Sequence, residues 1–212
     1  MTNTALRELE RHLLHETGKR VARLGFSSRK GQRFLRPLEG GLVVLHLTFI
    51  EHECDFDVTT DVAIRFDAVE ELVNRSNPLL SKKEKSATCT IGAELGNLEC
   101  GQPYRITVAS DGDIDFAAGC IVRKLEEVGL PYIERFSRPE AAYEVLSRDD
   151  REAWIHCPIH AERAKRACAF LVVLGRSSEL QELCARKLSF MESLKDPGTL
   201  ALSKFITSLA AG

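Results

Sequence analysis

The chain has 212 residues, with 29 Lys plus Arg against 31 Asp plus Glu and a formal net charge of −2 when His is neutral. At 44% hydrophobic and 28% charged, a chain of this length buries a core without disulfide or metal staples, and its composition excludes a disordered, fibrous or collagen-like protein. A pI near 6.3 also removes the overall basic footprint of a general nucleic-acid binder.

Residues 4–24 place Leu6, Leu9, Leu13, Val21 and Leu24 on one stripe, with Arg and Glu opposite, which predicts an amphipathic helix. Gly25 followed by Phe26 reads as its left-handed stop, and Ser27 to Gln32 as a polar loop. The period then changes to two. Phe34 to Leu38 is a short strand, Gly40-Gly41 a turn, and Leu42 to Ile50 a second strand. The third strand is the cleanest signal: Phe56, Val58, Thr60, Val62, Ile64 and Phe66 alternate against Asp55, Asp57, Thr59, Asp61, Ala63 and Arg65. One face is core and the other wet and acidic. The short Glu51 to Cys54 link makes an antiparallel hairpin of these two strands.

A short helix over Asp67 to Asn74 and a polar loop through Lys82 to Ser86 follow. Alternation returns with Cys89, Ile91, Ala93 and Leu95, then Gly101-Gln102-Pro103 turns the chain into a last strand of Tyr104, Ile106 and Val108. From Ser110 the pattern is helical. Ser110 and Asp113 stand at capping-box spacing, Gly129-Leu130-Pro131 ends that helix, and Ser137-Arg138-Pro139-Glu140 reads as a second capping box opening a helix to about Leu146. His156-Cys157-Pro158-Ile159 breaks the pattern before three further helices over 161–174, 178–194 and 199–210. The expected fold class is α+β: an antiparallel four- or five-stranded sheet with an N-terminal helix and a C-terminal helical segment. A composition shift near 137 divides a sheet domain, 1–136, from a helical segment, 137–212, packed against it or continuous with it.

The seven cysteines are scattered singly with no C-x-x-C pair, so they read as small buried hydrophobes instead of a zinc site, redox dithiol or disulfide framework. The N-terminus alternates charged and apolar residues where a secretory signal needs an unbroken apolar stretch, and no apolar run approaches the roughly 20 residues of a membrane span. The expected location is the cytoplasm, with no membrane contact.

A helix ending in Gly25-Phe26, the loop Ser28-Arg29-Lys30-Gly31, then Phe34-Leu35-Arg36 and a run of hairpin strands resembles the bacterial domain-of-unknown-function family 4304 over residues 5 to 135. That family has no established activity to carry over. The resemblance implies a small cytosolic α+β protein of the kind found beside bacterial toxin systems, and with it an immunity-type, toxin-binding role.

Charge is unevenly distributed. Residues 1–38 carry nine Lys or Arg against three Glu, whereas residues 50–71 carry eight acids and only Arg65. Asp55, Asp57 and Asp61 share a strand face, where like charges repel. They are either solvated and paired with Arg105, Arg65 or neighbouring lysines, or an acidic surface awaiting a basic partner. Glu94 is an isolated acid on a Thr-rich face with Thr88, Thr90 and Thr107. His46 reaches these carboxylates only if its strand face meets theirs, and hard cations want such converging oxygens; no metal site is assigned. Asp111-Gly112-Asp113-Ile114-Asp115 lacks the glycine and glutamate of a calcium loop and reads as the acidic start of a helix. His156 and His160 flank Pro158 and have no metalloprotease glutamate. There is no G-x-S-x-G elbow, Walker loop or G-x-G-x-x-G turn.

The favoured reading is a non-enzymatic protein-binding domain whose acidic face, Asp55, Asp57, Asp61 and Glu94, docks a basic partner, in its most specific form a toxin domain. No cofactor and no catalytic residue are assigned. Two other readings stand beside it. One is a hydrolase or small-ligand-binding domain using Glu94, His46 and the acidic strand. The other is nucleic-acid binding through Arg7, Arg11, Arg29, Lys30, Arg33 and Arg36, which the overall charge disfavours.

Overall fold

The computed structural model describes residues 3–75 and 77–210. It contains the α+β architecture expected from the sequence: an N-terminal helix, an antiparallel open sheet and C-terminal helices. The chain divides into two compact units. The first comprises 1–63 with 93–134, the second 64–92 with 135–212.

The first unit opens with α1 (Asn3–Val21), continued by a 3-10 turn over Ala22–Leu24. Leu6, Leu9, Leu13 and Val21 are buried as the stripe requires, and Gly25 ends the helix at φ 88°. Residues 27–32, expected as a loop, include β1 (Ser28–Lys30), which pairs antiparallel with β2 (Arg33–Leu38). So short an edge strand carries too few residues for its alternation to register. β3 (Gly41–Glu51) and β4 (Phe56–Phe66) follow. The strand order is β1-β2-β3-β4-β5, and β6 pairs the start of β4 through Phe56↔Val108 and Val58↔Ile106. Along β4 the even-numbered side chains are buried without exception, as its alternation predicts.

β5 (Ile91–Glu94) is shorter than expected. Leu95, assigned by its phase to that strand, instead begins α4 (Leu95–Cys100). A four-residue strand followed at once by a helix looks like one longer alternating run, because Leu95 is buried in either case. β6 (Ile106–Val108) leads to α5 (Ile114–Lys124), whose start carries the anticipated Ser110/Asp113 capping box. The expected stop at Gly129 is overturned. Leu125–Gly129 forms a π-turn in which Leu130 N–H reaches Leu125 O, and the helix resumes as α6 (Leu130–Phe136). Pro131 is then the second residue of the new segment, directly after a π-turn that already shifts the ladder of hydrogen bonds where the proline lacks its N–H. Gly129 serves packing: a Cβ there would lie 2.7 Å from Leu125 Cδ1.

In the second unit α2 (Asp67–Arg75) appears as expected, whereas α3 (Lys82–Lys85) occupies what reads as loop, held by a Ser81/Glu84 capping box. α7 (Pro139–Leu146) starts from proline at its first turn, and Arg138 is its N-cap with no side-chain cap bond, so the anticipated Ser137 box does not form. α8 (Arg151–His156) precedes the break at Cys157 to Ile159, and α9 (His160–Val173), α10 (Leu180–Ser193) and α11 (Thr199–Ala210) match the three helices read from the pattern. α9 is the axis of this unit, packing against α2, α7, α10 and α11. Phe66 meets Phe170 edge-on at 5.3 Å within it. No helix among the described residues is long and apolar enough to cross a membrane.

Candidate functional site

The polar face of the sheet in the first unit gathers the residues singled out by charge. Pairing of β2 with β3 sets Arg33 opposite His46. On β4, Asp61 Oδ2 lies 3.9 Å from His46 Nδ1, and Glu94 at the end of β5 repels it electrostatically. Arg33, His46, Asp61 and Glu94 therefore run across four strands on one face. The open question of whether the His46 face meets the aspartates is answered by this register: it does. A shared face follows from alternation, but neighbour relations across strands depend on pairings that no local pattern encodes.

Each member has an identifiable environment. The Asp61 side chain is 37% exposed and receives a hydrogen bond from Thr48. Burial first, and the Glu94 charge second, push its carboxyl above the usual aspartate range. His46 is pushed below its usual range by burial and then by the Arg33 guanidinium. The imidazole is therefore neutral at pH 7, and its contact with Asp61 is polar instead of a full ion pair. Thr48 Oγ1 lies 3.4 Å from His46 Nδ1.

Toward the hairpin end, Asp57 is a strand neighbour of a different kind. Its side chain, 15% exposed, accepts a hydrogen bond from Thr107 Oγ1 at 2.7 Å and faces His52 Nε2 at 3.5 Å and Arg105 Nη1 at 3.9 Å. The pairing with Arg105 weighed from the sequence is present. Arg65 takes no part in it, because its guanidinium donates to Asp67, to the carbonyls of Lys85 and Thr88 and to Thr88 Oγ1 in the second unit. Asp55 is half-buried at the hairpin exit, where its carbonyl accepts from His52 N–H. Glu51 and Glu53 beside it are exposed, and Glu51 helps to raise the carboxyl of Glu10 on α1. The acidic surface thus extends onto the helix, a tertiary feature absent from the strand pattern.

Glu94 has a structural duty the sequence reading missed. Its carboxylate accepts from the backbone N–H groups of Gly96, Asn97 and Tyr104 at 3.0, 2.8 and 3.1 Å, capping α4 and tying it to the approach of β6. The signal was available as an acid before Leu95-Gly96-Asn97, but an N-cap is recognised only once a helix is expected. Thr88 and Thr90, expected beside Glu94 on the outer face, lie in the second unit, where Thr88 Oγ1 accepts from Arg65 and Thr90 Oγ1 from Phe66 N–H.

Several basic residues of the N-terminal helix are paired, and of those named for nucleic-acid binding Arg11 is among them. Arg11 pairs with Glu8, Arg20 with Asp115 and Arg23 with Glu126, while His12 Nδ1 lies 2.9 Å from Asp111. His156 and His160 are not on the sheet: His156 is buried against Phe136, and His160 contacts Arg163 and Phe190. Among the described residues no group of three or more His, Cys, Asp or Glu is arranged to hold a metal ion. Four cysteines are buried, as their phases suggest, whereas Cys54 and Cys100 are exposed. Comparison with family models, with curated proteins and with solved structures finds no match to this chain.

Proposed function

We propose that this chain is a non-enzymatic protein-binding domain that docks a basic partner on the acidic sheet face formed by Asp55, Asp57, Asp61 and Glu94. The observation that carries the reading is the pair Asp61 and Glu94: two carboxylates repel across neighbouring strands, while the nearby His46 is held neutral by its surroundings. An arginine or lysine brought by a partner relieves that repulsion, so binding gains where the unbound face is electrostatically frustrated. The exposed Glu51 and Glu53 extend the same field toward the hairpin end and favour rapid, salt-sensitive association. In its most specific form the partner is a basic toxin domain that cuts nucleic acid, the chain is an immunity-type protein acting in the cytoplasm, and protection needs no catalytic group.

The test is capture of partners by the intact chain and by a D55N/D57N/D61N variant with unchanged far-UV circular dichroism. A basic protein recovered with the wild type, released by salt and absent with the variant supports the reading. Equal recovery by both chains removes it. Co-expression with that partner then separates immunity from simple association, since an immunity protein restores growth and the variant does not.

A second reading is favoured by one distance, the 3.9 Å between His46 Nδ1 and Asp61 Oδ2. A neutral imidazole beside a carboxylate, with Thr48 Oγ1 3.4 Å from its Nδ1, is a general-base group. Turnover of ester or phosphoester probes that disappears in H46A would favour it over docking.

A further inference from the structure

In the second unit, Cys168 on α9 and Cys184 on α10 bring their sulfurs to 3.3 Å. The two helices are consecutive and packed together, and the cysteines stand sixteen positions apart in sequence. Cys168 is fully enclosed, whereas Cys184, at 5% exposure, lies nearer the rim of the seam. The contact between the two thiols lowers the Cys184 thiol from its ordinary range and raises that of Cys168. Lys187, one turn beyond Cys184 on α10, adds positive charge beside Cys168. Two sulfurs thus stand within bonding approach of one another, Cys184 being the less enclosed, an arrangement that single buried cysteines lack.

We propose that Cys168 and Cys184 are a two-electron redox pair that closes into an intramolecular disulfide when a hydroperoxide reaches Cys184. In the first step the Cys184 thiolate attacks a peroxide oxygen. The oxygen–oxygen bond breaks, the leaving oxygen takes up a proton, and Cys184 becomes a sulfenic acid. In the second step the Cys168 sulfur attacks the sulfenic sulfur, the sulfur–oxygen bond breaks, and hydroxide leaves with the Cys168 proton as water. Two thiols and one hydrogen peroxide become one disulfide and two waters, and a dithiol reductant returns the pair to its starting state. Closure pins α9 to α10 and lowers the entropy of the unfolded chain, so the oxidised protein melts at a higher temperature.

The experiment treats the intact purified chain with hydrogen peroxide, alkylates the remaining thiols under denaturing conditions and maps tryptic peptides. The expected product joins the peptide 167–176 to the peptide 177–186 with the loss of two hydrogens. It disappears on reduction and accompanies a thermal midpoint that falls back when dithiothreitol is added. In C184S the cross-link is absent and Cys168 is recovered alkylated. Recovery of both wild-type cysteines in alkylated form after peroxide overturns the proposal, as does a disulfide that pairs either of them with Cys54 or Cys100 instead. The wild-type peptide map decides between these results even where a variant at this buried seam fails to fold.

Discussion

The two units use the same charged residue types in opposite ways. In the first, carboxylates and cations lie on a sheet face open enough that Asp61 retains 37% of its side-chain exposure and Arg105 54%. In the second, Glu70 and Arg166 form a buried pair with Nε to Oε1 at 2.8 Å, and Arg166 also donates to Glu162. Arg163 and Lys187 converge on Asp149, and they also reach the carbonyls of Leu146, Arg148 and Cys157 and, from Arg163, His160 Nδ1. A buried charge must be matched by partners or carry a desolvation cost of several kcal/mol, so these residues are bound to the fold and have nothing left to offer a ligand. Half-exposed charges lose little when their geometry is imperfect, which leaves the sheet face available for recognition. Exposure, not residue type, separates architecture from candidate function here.

The largest break in that contrast comes from removing one side of the buried pair. Glu70→Ala takes away one of the two carboxylates that hold the buried Arg166 guanidinium and leaves only Glu162, and about 3 kcal/mol of unfolding free energy is expected to be lost in urea denaturation. Replacing both residues with methionine recovers most of that loss, because the two charges of the pair leave together and neither is left buried alone.

Acid probes the second unit next. Burial lowers the His156 pKa to about 4 from its ordinary 6.5, so the folded protein resists a proton that the unfolded chain accepts. The neutral form's stabilisation is complete above pH 6.5 and is lost as pH falls from there toward 4, amounting to about 3 kcal/mol. Thermal midpoints measured across that window should slope steeply in the wild type and less in H156N. Equal slopes would assign the acid sensitivity to other groups.

The smallest expected effect lies on the sheet. Glu94→Ala removes the cap of α4 and costs about 1 kcal/mol, with Glu94→Gln costing less because it keeps an acceptor. A loss as large as that of Glu70→Ala would mean that the sheet face is built like the helical unit, and the contrast between the two would fall.

Much of this was legible in the residues themselves. Alternation fixed the apolar face of β4, although Thr59 and Arg65 on its polar face are buried as well, the spacing of apolar residues fixed α1, and the segmental charge count located the acidic strand. These signals survive because they are repeated over many residues, each repeating the same periodicity. The fold class followed from their order along the chain.

Other features became visible only in three dimensions. The π-turn that carries a helix past Gly129 and Pro131, the role of Glu94 as a cap, and the alignment of His46 with Asp61 each depend on one or two residues meeting partners distant in sequence. So does the grouping of 64–92 with 135–212, despite the composition shift near 137. Local periodicity reports which side of an element is apolar, but it carries no information about which neighbour covers that side. Arg163 and Lys187 read as ordinary charged helix positions, and only packing around α9 buries them to 0% and 1% exposure. Sequence alone determined the longer elements and their signs of charge. Tertiary structure decided which charges were spent on the fold and which remained at the surface, because desolvation is set by the surroundings of a side chain and not by its identity.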